Sequence, residues 1–394
     1  MKVALAYSGG LDTSIVIRLL QEKWNADVIT VSVDVGQDPK ELEEIGEKAR
    51  KLGAIKHVHV DAKREFVENY VFRSIKANGL YEGYPLSTAL ARYPIATKLV
   101  EVAKKEKAEA VAHGCTGKGN DQFRFDTTVS MLAPEMKIIA PVRELNLDRK
   151  WEIDYAKSQG IPVPVKKSKP YSIDENLWGR SIEGGILENP ENPPPEDIYA
   201  WTQSPRKAPR IPVSLEVKFM DGIPVALDGK KMEGVELISK LNRLAGEHGV
   251  GRIDLIEDRV LGLKARENYE APAATVIIQA HKALEQLVLT KQELTFKTIV
   301  DQTWADLVYS GLWFDPLRAD LDAFIDSTQE RVTGKVGVEL NQGFSSVVSR
   351  SSPYALYDEE LVSFEKFGFD QRDAAGVIKF HALQGKILRK RKGA

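Results

Sequence analysis

Residues 3 to 14 read Val3-Ala4-Leu5-Ala6-Tyr7-Ser8-Gly9-Gly10-Leu11-Asp12-Thr13-Ser14, an apolar strand that runs into a helix through a glycine pair. Leu11, Ile15, Val16, Leu19 and Leu20 recur at helical spacing beyond it. Gly9 and Gly10 can take backbone angles closed to other residues, and the free N–H groups of the helix start attract negative charge. Ser8, Thr13 and Ser14 add hydroxyl donors. Glycine pairs also punctuate ordinary turns, so the strand before and the helix after are what make this stretch a candidate phosphate cradle. Neither a Gly-Lys-Ser/Thr ending nor a Gly-x-Gly-x-x-Gly pattern is present. The cradle therefore has no lysine of its own.

Outward from this loop, strand-like and helical patterns alternate for about 165 residues, the signature of an α/β fold. The spacing predicts a strand over 28–33, a charged helix from Pro39 to about Leu52 and a strand over 57–60. A long helix over 86–105 and strands over 110–112 and 138–142 follow. Crossovers of this length imply a mostly parallel sheet with ligands at the carboxyl ends of its strands. Seven prolines between Pro190 and Pro212 then mark an extended connection, and a domain boundary is expected just before it, near 165–172. Beyond it, Asp221-Gly222 between two strand-like runs signals a hairpin over 213–227. Helical patterns over 272–312 and 316–329, strands over 335–340 and 345–349, and a last helix from about Gln371 make the second domain α+β.

Composition narrows the function. Lys plus Arg number 55 against 57 acids, which gives no electrostatic footprint for a nucleic-acid partner. Apolar stretches fall well short of the ~20 residues that cross a bilayer, and the start of the chain lacks the pattern of a signal peptide, so a soluble, cytoplasmic protein without a membrane partner is expected. The single cysteine, Cys115, excludes an intrachain disulfide and a cysteine-built metal site.

A second loop carries as much chemistry as the first. His113-Gly114-Cys115-Thr116-Gly117-Lys118-Gly119-Asn120-Asp121 holds three glycines in six residues, with Arg124 just beyond. Asp121 is placed to cap the helix 122–132, but capping explains neither Lys118 nor Arg124. His113 and Cys115 read as structural rather than catalytic.

Residues 8–14 resemble the pyrophosphate loop of the N-type ATP pyrophosphatases, which split ATP into AMP and pyrophosphate. Together with residues 113–125, Tyr171-Ser172-Ile173-Asp174-Glu175-Asn176-Leu177, Glu183-Gly184-Gly185-Ile186-Leu187-Glu188 and Gly251-Arg252-Ile253-Asp254 onward to Tyr269, the chain resembles the argininosuccinate synthetases over nearly its whole length. The resemblance implies an adenine nucleotide alpha-hydrolase-like domain over 1–168, an α+β synthetase and multimerisation domain over 169–366 and an oligomerisation helix over 367–394.

It further implies an ATP-dependent ligase of arginine biosynthesis that joins citrulline to aspartate through a citrullyl-adenylate. By the family's pattern, ATP lies on Ala6, Tyr7, Ser8, Gly9, Gly10, Leu11, Asp12, Thr13, Ser14, Val33 and Gly114, with Mg²⁺ accompanying the nucleotide and no metal site built by the protein. Aspartate falls to Thr116, Asn120 and Asp121, and citrulline to Tyr84, Asn120, Arg124, Ser172, Ser181, Glu257 and Tyr269. Asp12 and Asp121 are the implied catalytic carboxylates. The family often has a serine where Ala89 stands, so that hydroxyl is absent or supplied by Thr88 or the main chain.

Val377, Phe380, Leu383 and Ile387 fall at helical spacing near the C-terminus, before a basic run from Lys386 to Lys392. Such a stripe needs a surface to cover, and the resemblance implies a homotetramer. Two other classes stay open at this level: another N-type synthetase, and a nucleotide-binding sensor that does no chemistry.

Overall fold

The computed structural model describes residues 1–37, 39–162, 171–366 and 368–392, with the side chains of 39–43 outside that description. The junction expected near 165–172 lies, for residues 163–170, outside the described residues. Two compact units are present, Met1–Tyr354 and Ala355–Ala394.

The first unit begins with β1 (Lys2–Ala6), α1 (Leu11–Trp24), β2 (Asp27–Asp34), α2 (Pro39–Lys51) and β3 (Lys56–Asp61). A small hairpin of β4 (Leu80–Tyr81) and β5 (Tyr84–Pro85) precedes β6 (Ala110–Ala112) and β7 (Lys137–Ile139). A five-stranded sheet of order β3-β2-β1-β6-β7 results, with every neighbouring pair parallel. In β1, Val3 and Leu5 pack with α1, while Ala4 and Ala6 pack with the helix Ser87–Lys105 on the other face. Both faces are covered, which is why β1 reads as a continuous apolar run instead of an alternating one. The strand order reverses between β1 and β6, so the loops that leave these two strands open side by side.

The strand expected over 138–142 is shorter than its apolar run. It ends at Ile139, and Pro141 starts a helical turn, Pro141–Glu144, because proline's fixed φ suits a first helical position. The pattern over 272–312 is likewise two helices, Pro272–Val288 and Lys291–Tyr309. Thr290 and Glu293 form a reciprocal capping box that restarts the chain after Leu289.

The rest of the unit is antiparallel. β8 (Ser172–Asn176), β9 (Gly179–Glu183), β10 (Val213–Met220), β11 (Ile223–Leu227), β12 (Lys230–Lys231), β13 (Arg252–Asp258), β14 (Lys264–Glu270), β15 (Gly334–Asn341) and β16 (Phe344–Ser351) form two sheets, of order β13-β14-β9-β8 and β12-β11-β10-β15-β16. The hairpin at Asp221-Gly222 is present, with φ of 49° and 79° at the two turn residues.

The proline-rich connection is held by one carboxylate. Glu270, fully buried at the end of β14, accepts from the backbone N–H groups of Ala200, Trp201 and Thr202 at 3.0, 2.9 and 2.9 Å and from the Thr202 hydroxyl at 2.8 Å. Arg180 of β9 donates to it at 2.6 Å. A segment too rich in proline to join a sheet thus satisfies its N–H groups on a side chain.

In the second unit a short 3-10 turn at Gln371–Asp373 leads into two helices, Ala374–His381 and Leu383–Arg391, in place of the single helix expected from Gln371. Val377 and Phe380 on one, and Leu383 and Ile387 on the other, are all exposed.

Glu270→Ala would leave the buried Arg180 with the Ile198 carbonyl and a 3.5 Å approach to Glu175 as its partners. Removing one member of a buried pair costs about 3–5 kcal/mol. Denaturant unfolding followed by tryptophan fluorescence should show a loss of that size, and an unchanged midpoint would show that the clamp contributes nothing.

Candidate active site

The first loop leaves β1 at its carboxyl end and becomes α1. Gly9 has φ of +77°, and a Cβ there would lie 2.9 Å from Ile45 of α2, so the turn accepts glycine for both its angle and its packing. The loop is braced from within. The Ser14 hydroxyl donates to the Gly10 carbonyl at 2.6 Å, Ser8 and Thr13 hydroxyls meet at 3.2 Å, and Tyr7 lies buried with its hydroxyl 3.4 Å from Ser14. By position, the N–H groups of Leu11, Asp12 and Thr13 have no carbonyl within the helix, and α1 has no side-chain cap. They remain as donors for an anion.

The second loop lies against the first. A Cβ on Gly114 would approach the Thr13 side chain at 3.2 Å and the Thr13 nitrogen at 3.4 Å, so the two loops lie close enough that a side chain there would crowd Thr13. His113 is buried, with Nε2 2.7 Å from Asp126 and Nδ1 accepting from the Cys115 N–H at 3.2 Å, which fixes the root of the loop in the structural role expected of it. Gln122 closes the loop by donating to the carbonyls of Gly117 and Gly119 at 2.8 and 3.1 Å. The expected cap is not formed. Asp121 instead binds Arg92 Nε at 2.7 Å and Arg124 Nη1 at 2.9 Å, because two guanidinium groups, one buried and one half-buried, attract its charge more strongly than a neutral N–H does. Burial alone would raise the Asp121 pKa, but the two arginines overcome it and hold the carboxyl below the ordinary carboxylate range.

At its far end the second loop reaches a tyrosine-lined pocket. Tyr84 and Tyr269 stack with ring centres 4.3 Å apart, and the Tyr84 hydroxyl donates to Glu257 at 2.7 Å. Tyr81 stacks on Tyr309 at 3.6 Å, and Asn120 donates to the Tyr309 hydroxyl at 2.7 Å while accepting from the Val260 N–H at 3.0 Å. Arg124, also buried, donates through Nε and Nη2 to the Tyr309 carbonyl at 3.1 and 2.9 Å. Burial raises the pKa of Glu257, and raises Tyr84 and Tyr269 well above the ordinary tyrosine range. Ser181, opposite Tyr269 in the β9–β14 register, accepts from the Thr88 hydroxyl at 3.1 Å.

Two clusters thus stand at the ends of one loop. Ala6, Tyr7, residues 8–14, Val33 and Gly114 gather at the carboxyl ends of β1, β2 and β6. Tyr84, Asn120, Arg124, Ser181, Glu257 and Tyr269 gather around the tyrosine stacks. Thr116 is exposed on the loop between them, and Asp121 sits where the loop becomes a helix. Ser172 stands apart at the exposed start of β8, opposite Glu183, and among the described residues no hydrogen bond ties its side chain to the pocket.

Several contributors escaped the sequence. Arg92, which bridges Asp121 and Asp174 at 2.7 and 2.8 Å, had a faint signal as a lone charge within the apolar run Ala89 to Tyr93. Tyr81 and Tyr309 had none. Arg149, 2.5 Å from Asp12, comes from 137 residues further along the chain. Among the described residues no three His, Cys, Asp or Glu side chains group as a metal cage, and no helix is long and apolar enough to cross a membrane.

Residues 2–162 match the family described as the arginosuccinate synthase N-terminal HUP domain, and residues 171–388 match the arginosuccinate synthase C-terminal domain. The argininosuccinate synthase of Methanocaldococcus jannaschii is 62% identical over 388 residues, covering 98% of each chain. That of Archaeoglobus fulgidus is 60% identical over 391 residues, covering 99% of each, and that of Methanopyrus kandleri is 57% identical over 394 residues, covering 100% of each. With both halves matched in order and the likeness running end to end through the two loops and the tyrosine pocket, the chain belongs to the argininosuccinate synthase family.

Proposed function

We propose that the chain joins L-citrulline to L-aspartate across the second loop, with ATP seated on the first loop and citrulline in the tyrosine pocket. The observation that carries this reading is the contact of Gly114 with Thr13 at one end of residues 113–121 and of Asn120 with Tyr309 at the other. A nucleotide and an amino acid held at those two ends would meet over one backbone.

In the first half-reaction the ureido oxygen of citrulline attacks the α-phosphorus of ATP, and the bond to pyrophosphate breaks with its electron pair leaving on pyrophosphate. In the second, the aspartate amine attacks the activated carbon, loses a proton, and AMP leaves. Chemistry of this kind runs on positioning and charge stabilisation. The pyrophosphate end lies on Ser8, Gly9, Gly10, Leu11, Asp12, Thr13 and Ser14, and the adenosine beside Ala6, Tyr7, Val33 and Gly114. Mg²⁺ is held chiefly by phosphate oxygens, as this ion usually is, with Asp12 as the carboxylate on the loop.

Citrulline lies among Tyr84, Asn120, Arg124, Ser172, Ser181, Glu257 and Tyr269, where Arg124 keeps one Nη1–H and one Nη2–H beyond its bonds to Asp121 and Tyr309. Those two N–H groups face a carboxylate. Aspartate is taken by Thr116, Asn120 and Asp121. Held ionised by Arg92 and Arg124, Asp121 orients the aspartate ammonium and is a poor proton acceptor.

We assign the domains to 1–168, 169–366 and 367–394, and the protein to the cytoplasm. The exposed stripe of Val377, Phe380, Leu383 and Ile387 is assigned to contacts between four identical subunits, since each buried side chain of this kind contributes roughly 1.5–3 kcal/mol.

Pyrophosphate and AMP should appear in steady turnover only when ATP, Mg²⁺, citrulline and aspartate are all present. Turnover with ammonia or glutamine in place of aspartate would overturn the assignment.

Tyr84→Phe takes the Tyr84 hydroxyl donor from the buried Glu257, a cost of about 1–3 kcal/mol. Citrulline kcat/KM should fall roughly 5- to 150-fold, while the ATP KM stays within about twofold; an unchanged citrulline dependence removes Tyr84 from the pocket.

Light scattering should give a tetramer for the full chain and a smaller species for the double variant Phe380→Asp, Leu383→Asp. An unchanged mass would show that the stripe does not carry the assembly.

A further inference from the structure

We propose that Lys48, which lies outside both loop motifs, is the cation that binds the pyrophosphate end of ATP and carries the charge of the leaving group. The inference rests on the first loop being the pyrophosphate site. Residues 8–14 contain no Lys or Arg, and their one charged residue, Asp12, is acidic. Beyond the accompanying Mg²⁺, any protein cation for a leaving group of several negative charges must come from elsewhere in the fold.

The fold delivers one through α2. Ile45 and Lys48 are three residues apart and share a face of that helix, and this face lies on Gly9. Ile45 fills the space beside the glycine, and the Lys48 ammonium donates to the Gly9 carbonyl. Half-buried as it is, Lys48 has no carboxylate within 4 Å among the described residues. Lys63 and Lys297, by contrast, are neutralised, the first by Asp34 and Asp61 and the second by Glu285 and Asp301. Arg149, the other basic group at the loop, is already held by Asp12 and Glu152 at 2.5 and 3.3 Å.

The electrostatics agree with the geometry. Burial lowers the Lys48 pKa, as expected of a cation taken partly out of water without a counter-ion, and an arriving phosphate would supply that counter-ion. An ammonium has three N–H donors and no acceptor. The Gly9 carbonyl occupies one, which aims the nitrogen at the loop and leaves two for phosphate oxygens. When the α-phosphorus bond breaks, the electron pair moves onto pyrophosphate, so a charge-assisted bond from Lys48 strengthens as the step proceeds.

The test uses the full chain with Lys48→Met and Lys48→Arg, and inorganic pyrophosphate and AMP as separate probes in calorimetry. Lys48→Met should weaken pyrophosphate binding and lower kcat/KM for ATP by about 100-fold each, with AMP affinity and citrulline KM within about twofold of the parent. Lys48→Arg should recover at least about tenfold of either loss. Equal weakening of AMP and pyrophosphate, or no recovery in Lys48→Arg, would mean that Lys48 only braces the loop and would overturn the inference. Unchanged pyrophosphate binding in Lys48→Met would overturn it while leaving the loop assignment intact. Failure of the parent protein to bind pyrophosphate would overturn the loop assignment itself.

Discussion

One chain of paired charges, half-buried except for the buried Arg124, holds the candidate site together. Asp174 of β8 binds Arg92, Arg92 binds Asp121, Asp121 binds Arg124, and Arg124 binds the carbonyl of Tyr309 at the end of the helix Lys291–Tyr309. It ties the helix Ser87–Lys105, the second loop and two elements of the antiparallel region into one frame. Burying ions is costly, and a pair that keeps its partners contributes little net stability. The consequence is positional: any shift of one member would take from the next charge one of its partners.

That constraint explains the character of the pocket beside it. Tyr84, Tyr269 and Glu257 are all buried, and burial pushes each toward its neutral form. Tyr84 already donates to Glu257, so the pocket offers hydroxyls and flat rings to a neutral polar group such as a ureide. Beside it, Arg124 presents a fixed positive charge. A neutral polar group beside a fixed positive charge matches a ureido tail and a carboxylate.

The first loop follows a different logic. Its donors are backbone N–H groups and hydroxyls, braced by Ser14 and by the packing of Ile45 on Gly9. Backbone donors position an anion well but bring no full charge, and the full positive charges at the loop come from distant parts of the chain. Lys48 lies 39 residues from Gly9, and Arg149 lies 137 residues from Asp12. Separating position from charge lets each be set by its own element.

How much of this was legible beforehand depends on range. The strand and helix around residues 3–20 follow from local apolar periodicity, and the parallel sheet from crossovers too long for hairpins. Both loops were visible because their glycines and polar residues are contiguous. Where the signal was local but competed with another local signal, boundaries moved: Pro141 cut a strand short, and Thr290 with Glu293 split a helix. The sequence by itself determined the alternating elements around the two loops, the parallel character of their sheet and the loops themselves, because those depend on neighbours within a few turns of chain; the β13-β14-β9-β8 sheet had no such local signal. Only the tertiary structure decided that Asp121 would pair with Arg92 instead of capping its helix, that Thr88 would reach Ser181, and that Lys48 would lie on Gly9. Each of those outcomes is a contest between partners far apart in sequence, settled by which charge or hydroxyl packing leaves closest once water is excluded.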